Sequence, residues 1–245
     1  MTSPLVFHPP VIGHRGACAY APENTMSSFL KAAQLGVKWV EFDIMQSACG
    51  QPIVFHDETL DRTTQSKGDV SLYPYSYLQT LDAGYWFNSR FAGERIPTLT
   101  QVMDFLIDAK MNANIEIKAP LGHEEALVVR ALKELGPYLA QTSSTILFSS
   151  FSVEALQYLR QYSPHSLIGL LMHEWDPEWR KICKTLQCVS VHVNEEIMTH
   201  EAAKEIKDID KMLLCYTVND PIRAKTLCGW GVDAVFSDRP DKLLK

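Results

Sequence analysis

Nine short apolar runs, separated almost throughout by segments of helical periodicity, leave this chain few folds to adopt. Strand-like runs fall at 11–14, 38–45, 52–56, 113–118, 145–149, 167–171, 189–193, 212–218 and 234–237. Helix-period segments fall at 24–35, 98–109, 123–135, 152–160, 177–186, 202–208 and 221–228. Strands alternating with helices imply βαβ units and a parallel sheet. The run 52–56 is the misfit, because only Gln46 to Gln51 separate it from its predecessor, with Gly50 near the tip. A parallel partner needs a crossover of about a dozen residues, so this pair is expected to be an antiparallel hairpin. Eight parallel strands remain, and eight close a TIM (β/α)8 barrel. The α/β class and the 245-residue length agree with that fold.

The expected hairpin register pairs Gln46 with Gln51 and sets Glu41 opposite His56, and a slip of one residue reverses the faces. Residues 58–95, rich in Tyr, Trp, Phe, Gly and Asp, are too long for a plain connection. They read as a small lid insertion over the barrel mouth, within a single domain spanning 1–245.

With 46% apolar and 21% charged residues the chain has the means to fill a full core. A net charge of -6 without clustered Lys and Arg argues against nucleic acid as a partner. The N-terminus has neither a basic n-region nor an apolar h-region. The longest apolar run, 167–172, is far short of the roughly 20 residues that span a bilayer. These features lead us to expect a soluble, cytoplasmic protein with no stable membrane association; the sequence leaves a homo-oligomer open. Cysteines at 18, 49, 183, 188, 215 and 228 contain no Cys-x-x-Cys pair. They read as small buried hydrophobes in a reducing compartment rather than as disulfides or a zinc site.

In such a barrel the carboxyl ends of the strands share one site. The first strand ends in His14-Arg15-Gly16. In the second, Glu41 and Asp43 alternate with Val40, Phe42 and Ile44, so both carboxylates share a face. The helix layer takes the apolar face, and the carboxylates point into the barrel. Asn114, Glu116 and Lys118 alternate with Ile115 and Ile117 in the same way. Three inward carboxylates are costly to bury without a counter-ion. Oxygen donors without a cysteine or histidine cluster suit one hard divalent cation, Mg2+ or Ca2+. A structural ion-pair network with Arg15 and Lys118 is the plain alternative. It is weakened because His14, Arg15, Glu41, Asp43, His56, Glu116 and Lys118 all map to one end of one barrel. His192, inward between Ser190 and Asn194, reads either as a pocket residue or as a satisfied barrel histidine. Tyr216 and the insertion aromatics Tyr85, Trp86 and Phe87 either wall a substrate pocket or merely pack. Glu23 and Asn24 read as a capped helix start, and Asp57 and Arg62 as braces of the hairpin.

The runs VIGHRGACAYAPENT, WVEFDIMQSACGQPIVFHDETLDRTT, GERIPTL, ANIEIK, FSSF, YTVN and GVDAVFSDRPD, over 11–241, resemble in order and spacing those of glycerophosphodiester phosphodiesterases. The short cytoplasmic bacterial type is the most similar. The resemblance implies metal-dependent hydrolysis of a small-molecule glycerophosphodiester to glycerol 3-phosphate and an alcohol. It implies metal ligation by Glu41, Asp43 and Glu116, phosphate binding by Arg15 and Lys118, and an acid–base pair of His14 and His56. The family's likeness to phosphatidylinositol-specific phospholipases makes His14 the base and His56 the acid. Tyr216 stands where the family often carries Trp, so only fine substrate preference is affected. Competing readings are a lipid-directed phosphodiesterase on the same scaffold, a phosphate-binding protein without catalysis, and a metal-dependent isomerase or lyase. No basic amphipathic helix favours the first, the intact set of candidate residues opposes the second, and two histidines beside a phosphate clamp oppose the third.

Overall fold

The alternation of apolar runs becomes a closed ring of strands in the computed structural model, which describes residues 5–141 and 144–244. The strands are β1 (Val11–Gly13), β2 (Trp39–Gln46), β3 (Pro52–Val54), β4 (Asn112–Ile117), β5 (Ile146–Ser150), β6 (Leu167–Met172), β7 (Ser190–Asn194), β8 (Met212–Tyr216) and β9 (Ala234–Ser237). Their order is β1-β9-β8-β7-β6-β5-β4-β2-β3, and β1 also pairs with β2. The β1–β2 pairing closes an eight-stranded parallel barrel, and β3 lies outside the ring as the one antiparallel strand. The helices are α1 (Met26–Gln34), the short α2 (Tyr75–Leu78), α3 (Leu99–Asp108), α4 (Glu124–Gln141), α5 (Val153–Tyr162), α6 (Trp179–Thr185), α7 (His200–Lys207) and α8 (Pro221–Gly229). None of the described helices is long and apolar enough to cross a membrane.

Local chemistry explains where the helices start. Thr25, Ser152, Thr199 and Asp220 each accept a backbone N–H of the first turn. Thr98 and Gln101 form a reciprocal capping box on α3. One helix overruns its expected end: α4 continues past Leu135 through Gly136 and Pro137. Tyr138 Oη donates to Asp104 Oδ1 at 2.6 Å, tying the added turn to α3.

Two apolar layers flank the strands. Val40, Phe42, Ile44, Ile115 and Ile117 face outward and pack with Phe29, Leu99 and Val102 from the helices. Inside, Ile12, Trp39, Leu147, Leu214 and Phe236 plug the floor with Phe7. The polar residues of the same strands stand above that plug, at the carboxyl ends.

The hairpin differs from expectation by one residue. Gln46 pairs with Pro52 and Ile44 with Val54, while Ser47 N–H donates to Gln51 O at 3.0 Å. Gly50 takes the left-handed conformation, φ 81°, within this loop. Glu41 is therefore not the ladder partner of His56. His56 nevertheless reaches the cleft, because β3 ends at Val54 and frees it from strand alternation. A short β1 leaves the room: along β2 it pairs only with Trp39 and Val40.

Residues 58–95 build a satellite core, in which Leu60, Val70, Leu78 and Ala83, joined by Ile96 just beyond the segment, pack on Met45, Ile53 and Phe55 of the hairpin. The segment meets the site through Arg62, which binds both Glu23 and Asp57. It contributes no residue to the wall of the cleft among the described residues.

Candidate active site

The turn leaving β1 is the most constrained piece of the site. Arg15 has φ 49° and Gly16 φ 90°. A Cβ on Gly16 would lie 2.4 Å from Ser28 Oγ, so only glycine fits against α1. Ser28 Oγ donates to Arg15 O at 2.7 Å and locks the turn. The Arg15 N–H then donates to Glu41 Oε2 at 2.9 Å. Its guanidinium donates to Glu23 Oε1 at 2.7 Å and stands 3.5 Å from Asp43 Oδ2.

Glu23 and Asn24 do more than start a helix. Thr25 is the cap of α1, while Asn24 sits at φ 56° and its amide donates to Asp43 Oδ2 at 2.8 Å. That backbone costs roughly 1 kcal/mol or less for asparagine, and a hydrogen bond to a charged acceptor contributes about 1.5–3 kcal/mol. The bond outweighs the strain. Glu23 bridges Arg15 and Arg62, and Arg62 in turn binds Asp57.

Glu41, Asp43 and Glu116 bring one carboxylate oxygen each within 4.8 Å of the other two. Burial, then Asp43 and Glu116, push the Glu41 carboxyl well above the usual carboxylate range. Burial and Asp43 raise Glu116 to about 8, against the opposing pull of Lys118 and Arg15. Glu116 Oε1 is buried without a hydrogen-bond partner, although Lys118 Nζ lies 3.6 Å away. Crowded, oxygen-only and incompletely satisfied, the trio fits a hard divalent cation.

Both histidines are held by a carboxylate at Nδ1. His14 Nδ1 lies 2.7 Å from Asp238 Oδ1, and His56 Nδ1 lies 2.5 Å from Asp57 Oδ1. Their Nε2 atoms are left to the cleft, 4.0 Å from Glu41 Oε2 and 3.3 Å from Lys118 Nζ respectively. Burial, with Arg15 and Lys118 nearby, lowers the His56 imidazole below its ordinary value. Asp57 and Asp238 are held well below the carboxylate range: despite burial, Arg62 and His56 favour the one anion, and His14, Cys18 and Asn219 the other. Asp238 escaped the sequence reading. It stands one residue past β9 as His14 stands one past β1, a strand-end position that was a usable signal.

His14, Arg15, Glu41, His56 and Glu116 line one cleft of about 310 Å³, with Asn114, Ser149, Phe151, Leu171, His173 and Tyr216 also in its wall, while Asp43 is buried off that wall. The Tyr216 ring meets Phe151 edge-on at 6.0 Å, and its hydroxyl donates to Met172 O at 2.9 Å. Lys118 lies on the adjoining hollow, which shares Glu116 and Phe151. His192 is elsewhere. It is fully buried below the cleft, 2.8 Å from Ser190 Oγ through Nε2, and burial pushes its pKa down to about 3. Of its two readings, the geometry matches a buried barrel histidine off the pocket wall, but one satisfied at Nε2 alone, since Nδ1 has no hydrogen-bond partner among the described residues. Tyr85, Trp86 and Phe87 also stand off the cleft wall; Trp86 packs on Phe87 and donates to Ala83 O at 2.8 Å.

Comparison with known proteins agrees with this geometry. The model of the Glycerophosphoryl diester phosphodiesterase family matches residues 14–242. A glycerophosphodiester phosphodiesterase of Caldanaerobacter subterraneus is 33% identical over 238 residues, 96% of each chain. A phosphodiesterase of Oleispira antarctica, solved in complex with the product sn-glycerol-3-phosphate, superposes with a TM-score of 0.93 at 35% identity, covering 96% of this chain and 95% of that one. A glycerophosphodiester phosphodiesterase of Agrobacterium tumefaciens gives 0.80 at 27% identity, over 98% and 99%. The chain, with its two carboxylate-held histidines beside an acidic trio at the mouth of a parallel barrel, belongs to the glycerophosphoryl diester phosphodiesterase family of enzymes.

Proposed function

We propose that this protein hydrolyses glycerophosphodiesters to sn-glycerol 3-phosphate and an alcohol, in glycerophospholipid degradation and glycerol metabolism in the cytoplasm. Supporting this substrate class are the 33–35% identical relatives, one of them bound to that product. The observation that carries the mechanism is the pairing of two imidazoles, each fixed at Nδ1 by a carboxylate, in one cleft with Arg15, Glu41 and Glu116, the last two grouped with buried Asp43.

Glu41, Asp43 and Glu116 are the residues to hold one divalent cation, Mg2+ or Ca2+. Such an ion neutralises phosphoryl oxygens and makes a bound hydroxyl more acidic. The Arg15 fork and the Lys118 ammonium bind the anionic diester, and both charges stabilise the negative charge that develops on phosphorus oxygens. His14, through Nε2, takes the proton of the attacking hydroxyl. His56, through Nε2, hands a proton to the departing alkoxide. In the free enzyme His56 is held down by burial and by Arg15 and Lys118. A bound phosphodiester anion neutralises those two cations, and the imidazole regains the proton it has to donate. Tyr216 and Phe151, which wall the cleft, are the side chains to flank the bound diester.

The test is release of glycerol 3-phosphate from glycerophosphocholine, followed with a coupled dehydrogenase. Activity lost to EDTA and restored by Mg2+ or Ca2+ is the expected result. No release from any glycerophosphodiester, or release unaffected by EDTA, would overturn the proposal.

A further inference from the structure

Beside His14, and apart from the acidic trio, three different donor groups meet. Cys18 Sγ lies 2.9 Å from Asp238 Oδ1 and 4.0 Å from His14 Nδ1, and His14 Nδ1 lies 2.7 Å from Asp238 Oδ1. All three residues are half-buried, and one donor atom from each lies within 4.8 Å of the others. Both elements carrying them are fixed. Ala17 N–H donates to Ser28 Oγ at 2.9 Å next to Cys18. On the other element, Asn219 Nδ2 donates to Asp238 Oδ2 at 2.7 Å and the Asp238 N–H donates to Asn219 Oδ1 at 2.9 Å.

The donor chemistry separates this cluster from its neighbour. The acidic trio offers oxygen alone and suits a hard ion, whereas thiol, imidazole and carboxylate together suit zinc. Zinc bonds of about 2.0–2.3 Å in a tetrahedral site set ligand atoms roughly 3.3–3.7 Å apart. The present spacings of 2.7, 2.9 and 4.0 Å bracket that range, so shifts of about 1 Å or less seat the ion. A tetrahedral ion keeps its fourth position for water.

We propose that His14, Cys18 and Asp238 form a binding site for a thiophilic divalent cation, Zn2+ above all, and that filling it silences the enzyme. On binding, the Cys18 S–H bond gives way to an S–Zn bond and the proton passes to solvent. Zinc takes the Nδ1 lone pair of neutral His14, so the single imidazole proton resides on Nε2. That nitrogen then donates where the base has to accept. The inhibitory half rests on the proposed role of His14; the binding half does not.

Titration of the whole protein with Co2+, in excess Mg2+ to occupy the acidic trio, tests both. A thiolate-to-cobalt charge-transfer band is expected, abolished by Cys18→Ser and kept in Cys49→Ser/Cys228→Ser, which removes the two exposed thiols. Zn2+ is expected to displace Co2+ and to inhibit hydrolysis, with Cys18→Ser raising the half-inhibiting concentration about tenfold or more. Absence of the band in the unaltered protein, or its loss in the exposed-thiol variant, overturns the site. A Cys18-dependent band without inhibition overturns the inhibitory half and, with it, the role given to His14.

Discussion

His14 Nδ1 stands 2.7 Å from Asp238 Oδ1, a residue 224 positions further along the chain. Ring closure between β1 and β9 is what brings them together. A carboxylate at Nδ1 holds the proton there, so Nε2 carries the free lone pair that a base needs. Asp238→Asn presents an amide in its place, and an amide N–H facing Nδ1 selects the wrong tautomer. We expect kcat to fall by up to about 10⁴-fold, the loss known for such a tautomer error, with KM within a few-fold. Steady-state kinetics checks this; a change confined to KM would remove Asp238 from its positioning role.

Acid and base separate by leaving group. A nitrophenyl ester expels an anion that needs no proton, so the loss of a general acid is forgiven while the loss of a base is not. His56→Ala is expected to recover most of its lost rate on glycerol 3-(4-nitrophenyl phosphate), and His14→Ala to remain impaired. Recovery in His14→Ala alone would exchange the two roles, and recovery in neither would end the assignment.

The acidic trio leads to a prediction about stability. Glu116 titrates near 8 when folded, against an ordinary 4.5. Between these values the unfolded chain has released a proton that the folded chain retains, so stability falls as pH rises. Without divalent cation, the melting temperature is expected to drop by several degrees between pH 5 and about 8, at roughly 2–4 °C per kcal/mol for a chain of this size. Added Mg2+ or Ca2+ should restore it most at the alkaline end. Glu116→Gln should flatten the profile, melt higher than the unaltered apoprotein near pH 8, and lose both activity and the cation-induced rise. Calorimetry in EDTA against pH checks each part.

What could be read without coordinates follows from periodicity. Glu41, Asp43 and Glu116 stand in strands whose other face is apolar, so alternation alone turns them inward. Arg15 and Asn24 act through positive φ, a property that side-chain patterning does not report. Asn24 therefore read as a cap, when its amide serves Asp43. The hairpin register slipped by one residue about the Gly50 turn, and of the insertion aromatics Trp86 and Phe87 pack on each other while Tyr85 stays exposed, all three off the cleft wall. His192 carries the same inward signal as Glu41, but periodicity gives a face and not a height within the barrel.

That height makes the last prediction. Gly169 lies against His192: a Cβ there would come within 2.5 Å of Nε2 and 2.7 Å of both Cε1 and Ser190 Oγ. The ring has nowhere to retreat, being fully buried with its centroid 5.3 Å from that of Phe236. Over-packing costs about 1–3 kcal/mol, and breaking the Ser190–His192 bond in a buried place adds about 1–3 kcal/mol. Gly169→Ala is expected to lose roughly 2–6 kcal/mol, or about 5–20 °C in melting temperature. Gly229→Ala, with open space around the new methyl, is expected to gain about 0.5–1 kcal/mol as an ordinary helix substitution. Parallel melts of the two variants decide the matter: equal melting temperatures would mean that His192 is not wedged as described.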